Sequence, residues 1–150
     1  MNRGMNRIRS VALVLALTLG LAACPASPYH VCVKGSADVA SAIGAGENSV
    51  DQARQQGSMT AAEERAALTY LNLANKLNGQ FQTCVAAAHS AGDLSGSFTS
   101  CTSAFATGLV DPAEQAALHI TSVGGKKTLT TIVNSVQLAV TGITAALGGK

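Results

Sequence analysis

Tryptophan is missing from these 150 residues, and aromatic residues make up 3%, from two tyrosines and three phenylalanines. A core of large stacked rings is thereby excluded, so alanine, leucine, valine and isoleucine must fill it. Alanine-rich helices can approach one another closely, which favours a compact bundle. Charged residues are also scarce, at 12%. Beyond the first nine residues no lysine or arginine stripe could follow a phosphate backbone, so nucleic-acid binding is not expected. No Gly-x-Ser-x-Gly elbow is present, and Gly44-Ala45-Gly46 lacks the following Lys-Ser/Thr of a phosphate loop. Solenoid repeats, sustained heptads and low-complexity tracts are equally missing.

What is present begins with a strongly patterned N-terminus. Arg3, Arg7 and Arg9 form a basic flank with no acid among them, and residues 11–21 are an uncharged run. Such a run is too short to span a bilayer but has the length of a secretory core region. The small residues Ala22 and Ala23 then lead into Cys24. The tetrad Leu21-Ala22-Ala23-Cys24 resembles the lipobox of bacterial lipoproteins, a resemblance confined to residues 1–24. It implies diacylglyceryl attachment to the Cys24 thiol, cleavage before Cys24 and acylation of the new amino group. A thiolate is the group that can take the lipid, and several acyl chains anchor stably where one does not. The expected location is the exported side of a bacterial envelope membrane, with the lipid on Cys24 as the membrane partner.

Removing residues 1–23 leaves 127 residues, a length suited to one domain with one core. Three arginines leave with the signal. The remaining seven basic and eight acidic residues turn the net charge from +2 to −1. Residues 24–30, with Pro25 and Pro28, read as a short tether, and residues 31–150 as a single helical domain.

Five helices are expected in that domain. In residues 31–56, Val33, Ala40, Ile43 and Val50 recur at helical intervals. Gly35, Gly44 and Gly46 weaken that helix, suggesting close contact with a neighbour or a bend near Ala45, and Gly57 is placed to end it. Thr60-Ala61-Ala62-Glu63 is a capping box. It opens a helix whose apolar face runs Leu68, Leu71, Ala74, Leu77, Phe81, Val85 and Ala88, with Asn72, Asn75, Lys76, Asn78 and Gln82 assigned mostly to the other face. A bend near Gly79 is allowed for. Residues 91–96 read as a turn, and a shorter helix then carries Phe98, Cys101, Phe105 and Leu109. Asp111-Pro112 reads as an N-cap followed by a first-turn proline, with its helix stopping before Gly124-Gly125. The last helix presents Leu129, Ile132, Val133, Val136, Val140, Ile143 and Leu147 on one stripe. It carries no charge over residues 128–149, which raises membrane insertion, but its Thr, Asn, Ser and Gln disfavour spanning and favour a packed bundle helix. The fold class is therefore all-α, a small bundle of antiparallel hairpins.

Folding the second and third helices about their turn aligns Phe81 with Phe105, Ala88 with Phe98, and Cys84 with Cys101. An exported protein meets an oxidising compartment, so a Cys84–Cys101 disulfide is expected. Cys32 is then the odd thiol. Its favoured reading is a buried small apolar residue, with intermolecular pairing or competition for the other cysteines as alternatives. His30, His89 and His119 suggest a metal site, but the spacing is poor. His30 and Cys32 are two apart, while Cys84 and His89 stand about 140° apart around a helix. No cofactor, metal or catalytic set is expected. Two functional classes remain: a non-catalytic lipid-anchored module that binds another envelope protein, and a helical module holding a small ligand or metal.

Overall fold

The computed structural model describes residues 27–92 and 96–148, so the signal segment and Cys24 lie outside the described residues. The described residues form five helices: α1 (Pro28–Gln55), α2 (Ala61–Ser90), α3 (Gly96–Gly108), α4 (Val110–Leu118) and α5 (Val123–Gly148). They make four antiparallel passes. α1 rises, α2 descends, α3 and α4 together rise, and α5 descends. The third pass is one rod interrupted at Leu109, which keeps helical dihedrals (φ −83°, ψ −15°). Each pass packs on the two beside it, and α1 closes the ring against α5.

α1 starts earlier than the sequence reading has it. The Ser27 hydroxyl accepts from the His30 N–H and Pro28 occupies the first turn, where a missing N–H costs nothing. The helix ends where expected. Gly57 has φ +69°, its N–H donates to the Arg54 carbonyl, and the Ser58 N–H donates to Ala53, the paired bonds of a Schellman cap. α1 and α2 run unbroken through Gly44, Gly46 and Gly79.

The buried face of α1 is Cys32, Gly35, Ser36, Val39, Ile43, Gly46, Val50 and Ala53. Val33 and Ala40, read from sequence as core, face outward. The shift has a steric cause, because the glycines belong to the packed face. A Cβ on Gly35 would run into the Ile143 side chain, and one on Gly46 would stand 2.9 Å from Leu71 Cδ2. Their bareness lets α1 sit close on both neighbours.

On α2 the capping box is complete, with Thr60 Oγ1 accepting from the Glu63 N–H and Glu63 Oε2 from the Thr60 N–H. Its core face centres on Ala67, Tyr70, Leu71, Ala74, Asn78, Phe81, Val85 and Ala88. Asn78 is thus buried. The Ser36 hydroxyl donates to Asn78 Oδ1 (2.9 Å), the Asn78 amide donates to the Ser36 carbonyl (3.1 Å), and the Gln82 amide donates to Ser36 Oγ (2.7 Å). A buried amide is tolerated when paired in this way.

α4 departs from its expected start. Asp111 lies inside the first turn, and the flanking Leu109 makes no side-chain cap, because α3 hands over to α4 almost without leaving helical geometry. α5 likewise begins at Val123 and runs through Gly124 and Gly125. A Cβ on Gly124 would meet the Ser58 carbonyl oxygen, and one on Gly125 would meet Ser122 Oγ. These glycines serve close approach, where the sequence suggested termination. Ser122 caps α5 by accepting from the Gly125 N–H at 3.0 Å. The α5 stripe Leu129, Ile132, Val136, Val140 and Ile143 faces the core. Among the described helices α5 is the one long and apolar enough to cross a membrane.

Candidate functional site

The close seam of α1 and α5 leaves a shallow trough on its outer side. A groove of about 810 Å³ runs along both helices, with His30 and Lys34 at one end, Ala42 and Ala139 in the middle and Leu138 and Gly142 on the α5 side. Leu138 is 74% exposed, a large apolar residue left in water beside small side chains. The rim carries the exposed Lys34–Asp38 pair at 2.9 Å, one helical turn apart and worth little by itself. The remaining lining is alanine, glycine, serine, valine and isoleucine. Such a surface can exclude water from an apolar partner. It supplies no convergent acid, base or nucleophile.

A second feature lies at the end of the bundle where α1 starts and α2 finishes. The Tyr29 ring stacks on His89, with centroids 4.0 Å apart and planes 16° from parallel. It also meets the edge of His30 at 5.9 Å. His30 Nδ1 is 2.7 Å from the Ser27 hydroxyl. Beside this cluster is a cavity of about 440 Å³ lined by Cys32, Ser36, Phe81, Gln82 and Val85 among others. That Tyr29 and His89 meet is not legible in the sequence, because the contact joins the first turn of one helix to the last turn of the next.

The cysteines are distributed as follows. Cys84 and Cys101 are joined by a disulfide, with Cα atoms 5.8 Å apart, and Phe81 stacks on Phe105 at 5.2 Å in the same register. Cys32 is a free, fully buried thiol. Burial pushes its pKa up, against a smaller opposing hydrogen bond with Thr102, so the group stays protonated and unreactive. His119 lies at the end of α4, and the described residues contain no group of three or more His, Cys, Asp or Glu side chains able to share a metal.

Two polar groups carry more than their sequence positions suggested. Glu63, beyond closing the capping box, accepts at Oε1 from the backbone N–H of Ser122 (2.6 Å) and of Thr121 (2.8 Å). The Ser122 hydroxyl, with one proton to give, lies 3.1 Å from both Glu63 Oε2 and the Ser58 carbonyl. Hydrogen bonds from the Ser122 and then the Thr60 backbone hold the Glu63 carboxyl at about 2, against the opposing effect of burial and with further help from Thr121. This carboxylate ties the α1–α2 turn to the α4–α5 turn. It is a structural clasp at the end of the bundle opposite Tyr29. Tyr70 is the other group: its hydroxyl is buried without a hydrogen-bond partner among the described residues, and burial pushes its pKa up to about 12.

No protein-family model, curated protein sequence or solved structure matches this chain.

Proposed function

We propose that the chain is a lipid-anchored, non-catalytic protein of the bacterial cell envelope, held by an acylated Cys24 and offering the α1–α5 groove to a second envelope protein. The observation that carries this reading is Leu138, 74% exposed beside a trough of small side chains about 810 Å³ in volume. An open channel running along two helices suits an apolar ridge of another protein better than a compact ligand. Small residues let a partner backbone come close while a protruding leucine fills its pocket. The signal, lipobox and oxidised cysteine pair are consistent with the exported side of the membrane.

Two measurements test the reading. Radiolabelled palmitate should enter the protein and fail to enter Cys24→Ala; equal labelling of both overturns the anchor. A photo-crosslinker at position 138 should give a discrete adduct in intact membranes, absent with the probe at position 123 and lost when Gly142→Trp fills the groove. Adducts unaffected by Gly142→Trp would overturn the groove as the docking surface.

A second reading, a small ligand held between helices, is favoured by the 440 Å³ cavity beside Tyr29 and Cys32, where Gln82 and Ser36 offer polar atoms. Elution of a stoichiometric small molecule from purified protein, abolished by Ala86→Trp, would establish it over the first.

A further inference from the structure

Formal charge is distributed very unevenly along the long axis of this bundle. The end built from residues 28–33, 85–92, 96–102 and 141–148 contains no Asp, Glu, Lys or Arg. All four passes contribute to it, and its ionisable surface groups are the imidazoles of His30 and His89, both against Tyr29. Asp93, in the connection between α2 and α3, and Lys150, two residues past the end of α5, lie outside the described residues. The opposite end, residues 50–66 and 111–127, carries Asp51, Arg54, Glu63, Glu64, Arg65, Asp111, Glu114, Lys126 and Lys127. Of the thirteen charged residues among those described, nine lie at that end.

The uncharged end is also the one next to Cys24. Ser27, which caps α1, is three residues from it. Whatever path the intervening residues take, three peptide units span at most about 11 Å. If Cys24 is in the membrane, this end of the bundle cannot stand far from it, whereas the clasp around Glu63 lies a full α1 helix away, about 42 Å for its 28 residues. The side chains at the near end suit that position. Tyr29 is of the type enriched where hydrocarbon meets headgroup, and the histidines likewise join an apolar body to a polar tip. Val33 is 47% exposed there, Leu147 is partly buried, and Thr141 and Thr144 offer hydroxyls. Charges would cost most at this boundary, and along α1 they begin only at Lys34, which is exposed and paired with Asp38 one turn further from the end.

We propose that this end of the bundle is a seat for the phospholipid bilayer itself, so that the helices stand upright on the membrane with the Glu63 clasp outermost. The seat rests on the lipid-anchor reading and adds an orientation to it. Tether length alone would allow the body to lie on its side; the charge distribution selects the upright arrangement. The groove between α1 and α5 then faces sideways, parallel to the membrane, where a neighbouring envelope protein can reach it.

The absence of tryptophan makes the test clean. The full chain, acylated, is made with single substitutions at outward positions: Val33→Trp at the seat, Leu138→Trp on the side and Val123→Trp at the far end. Each is reconstituted on vesicles of phosphatidylethanolamine and phosphatidylglycerol, with and without brominated acyl chains, and flotation is recorded alongside fluorescence. The expected result is flotation of all three, strong loss of fluorescence for Val33→Trp, and none for Val123→Trp. Flotation with equal quenching at positions 33 and 123, or with quenching strongest at 138 or 123, overturns the upright seat while leaving the anchor intact. Flotation without quenching at any position also overturns it and leaves that end available to a protein. Failure to float overturns the anchor, and the seat with it.

Discussion

The Glu63 carboxylate accepts the backbone N–H of Ser122 at 2.6 Å, across 59 residues of sequence. That bond, with those from Thr60 and Thr121, makes one side chain responsible for two helix starts and two connections.

The clasp gives a signed pH dependence. Glu63 sits at about 2 in the folded protein against an ordinary value of 4.5. The unfolded chain therefore binds more protons than the folded one between these values, and stability rises with pH through that window. The stabilisation is fully present above about pH 4.5 and is lost as pH falls towards 2. Urea titrations from neutral to acid pH should show wild type losing more stability across this range than Glu63→Gln, which is itself less stable at neutral pH. Parallel curves for the two proteins would contradict the assignment.

Glycine substitutions on α1 should have opposite signs. Gly35→Ala places a methyl against Ile143 and should cost about 1–3 kcal/mol by overpacking; Ile143→Val in the same chain should recover part of the loss. Gly44→Ala has nothing within 4 Å to meet and should gain about 0.5–1 kcal/mol from helix propensity. Chemical denaturation midpoints check both. Equal effects would mean the α1–α5 seam is looser than described.

Opening the Cys84–Cys101 bridge, 17 residues apart in sequence, should cost on the order of 3 kcal/mol in the chain-entropy model. Thermal melts with and without reductant, or of Cys84→Ser/Cys101→Ser, measure it. Thiol titration of the oxidised helical body should find Cys32 reactive only after denaturation, and a rapidly reacting thiol in the native state would contradict its burial.

Tyr70→Phe removes a buried hydroxyl that has no partner among the described residues. Such a deletion should be neutral or stabilising by up to about 1 kcal/mol, because an unpaired polar group contributes a desolvation penalty and no bond. A clear loss of stability would point to a hydrogen bond from a buried water.

The parts of this fold that were readable in the sequence are those set by local rules. Thr60 and Glu63 announce their helix start, Gly57 its predecessor's end, and the valine and isoleucine spacing on α5 its buried stripe. The Phe81–Phe105 and Cys84–Cys101 register followed because a hairpin with a short turn has few alignments. Features that depend on a distant partner were not readable. Asn78 looks like a surface residue until Ser36 is known to face it, and Gly35 looks like a weakness until Ile143 fills the space it leaves. Asp111 resembles a cap, and only the continuous handover from α3 makes it an interior residue. For the candidate groove, the glycines of α1 and the uncharged run of α5 were legible, but not that α1 and α5 are neighbours. Of the near-end cluster, His30 and His89 were singled out as histidines, but neither their common contact with Tyr29 nor Tyr29 itself was legible.

The four-pass arrangement leaves Pro28 and Gly148, the ends of α1 and α5, at the same end of the bundle and on adjacent helices. A load applied across those ends peels α1 from α5 in an unzipping geometry that reaches the Gly35–Ile143 contact early. The Glu63 clasp lies at the far end of that seam and would be among the last contacts to carry force. A pull on those two ends is thus resisted weakly at first, and the Glu63 bonds are held in reserve.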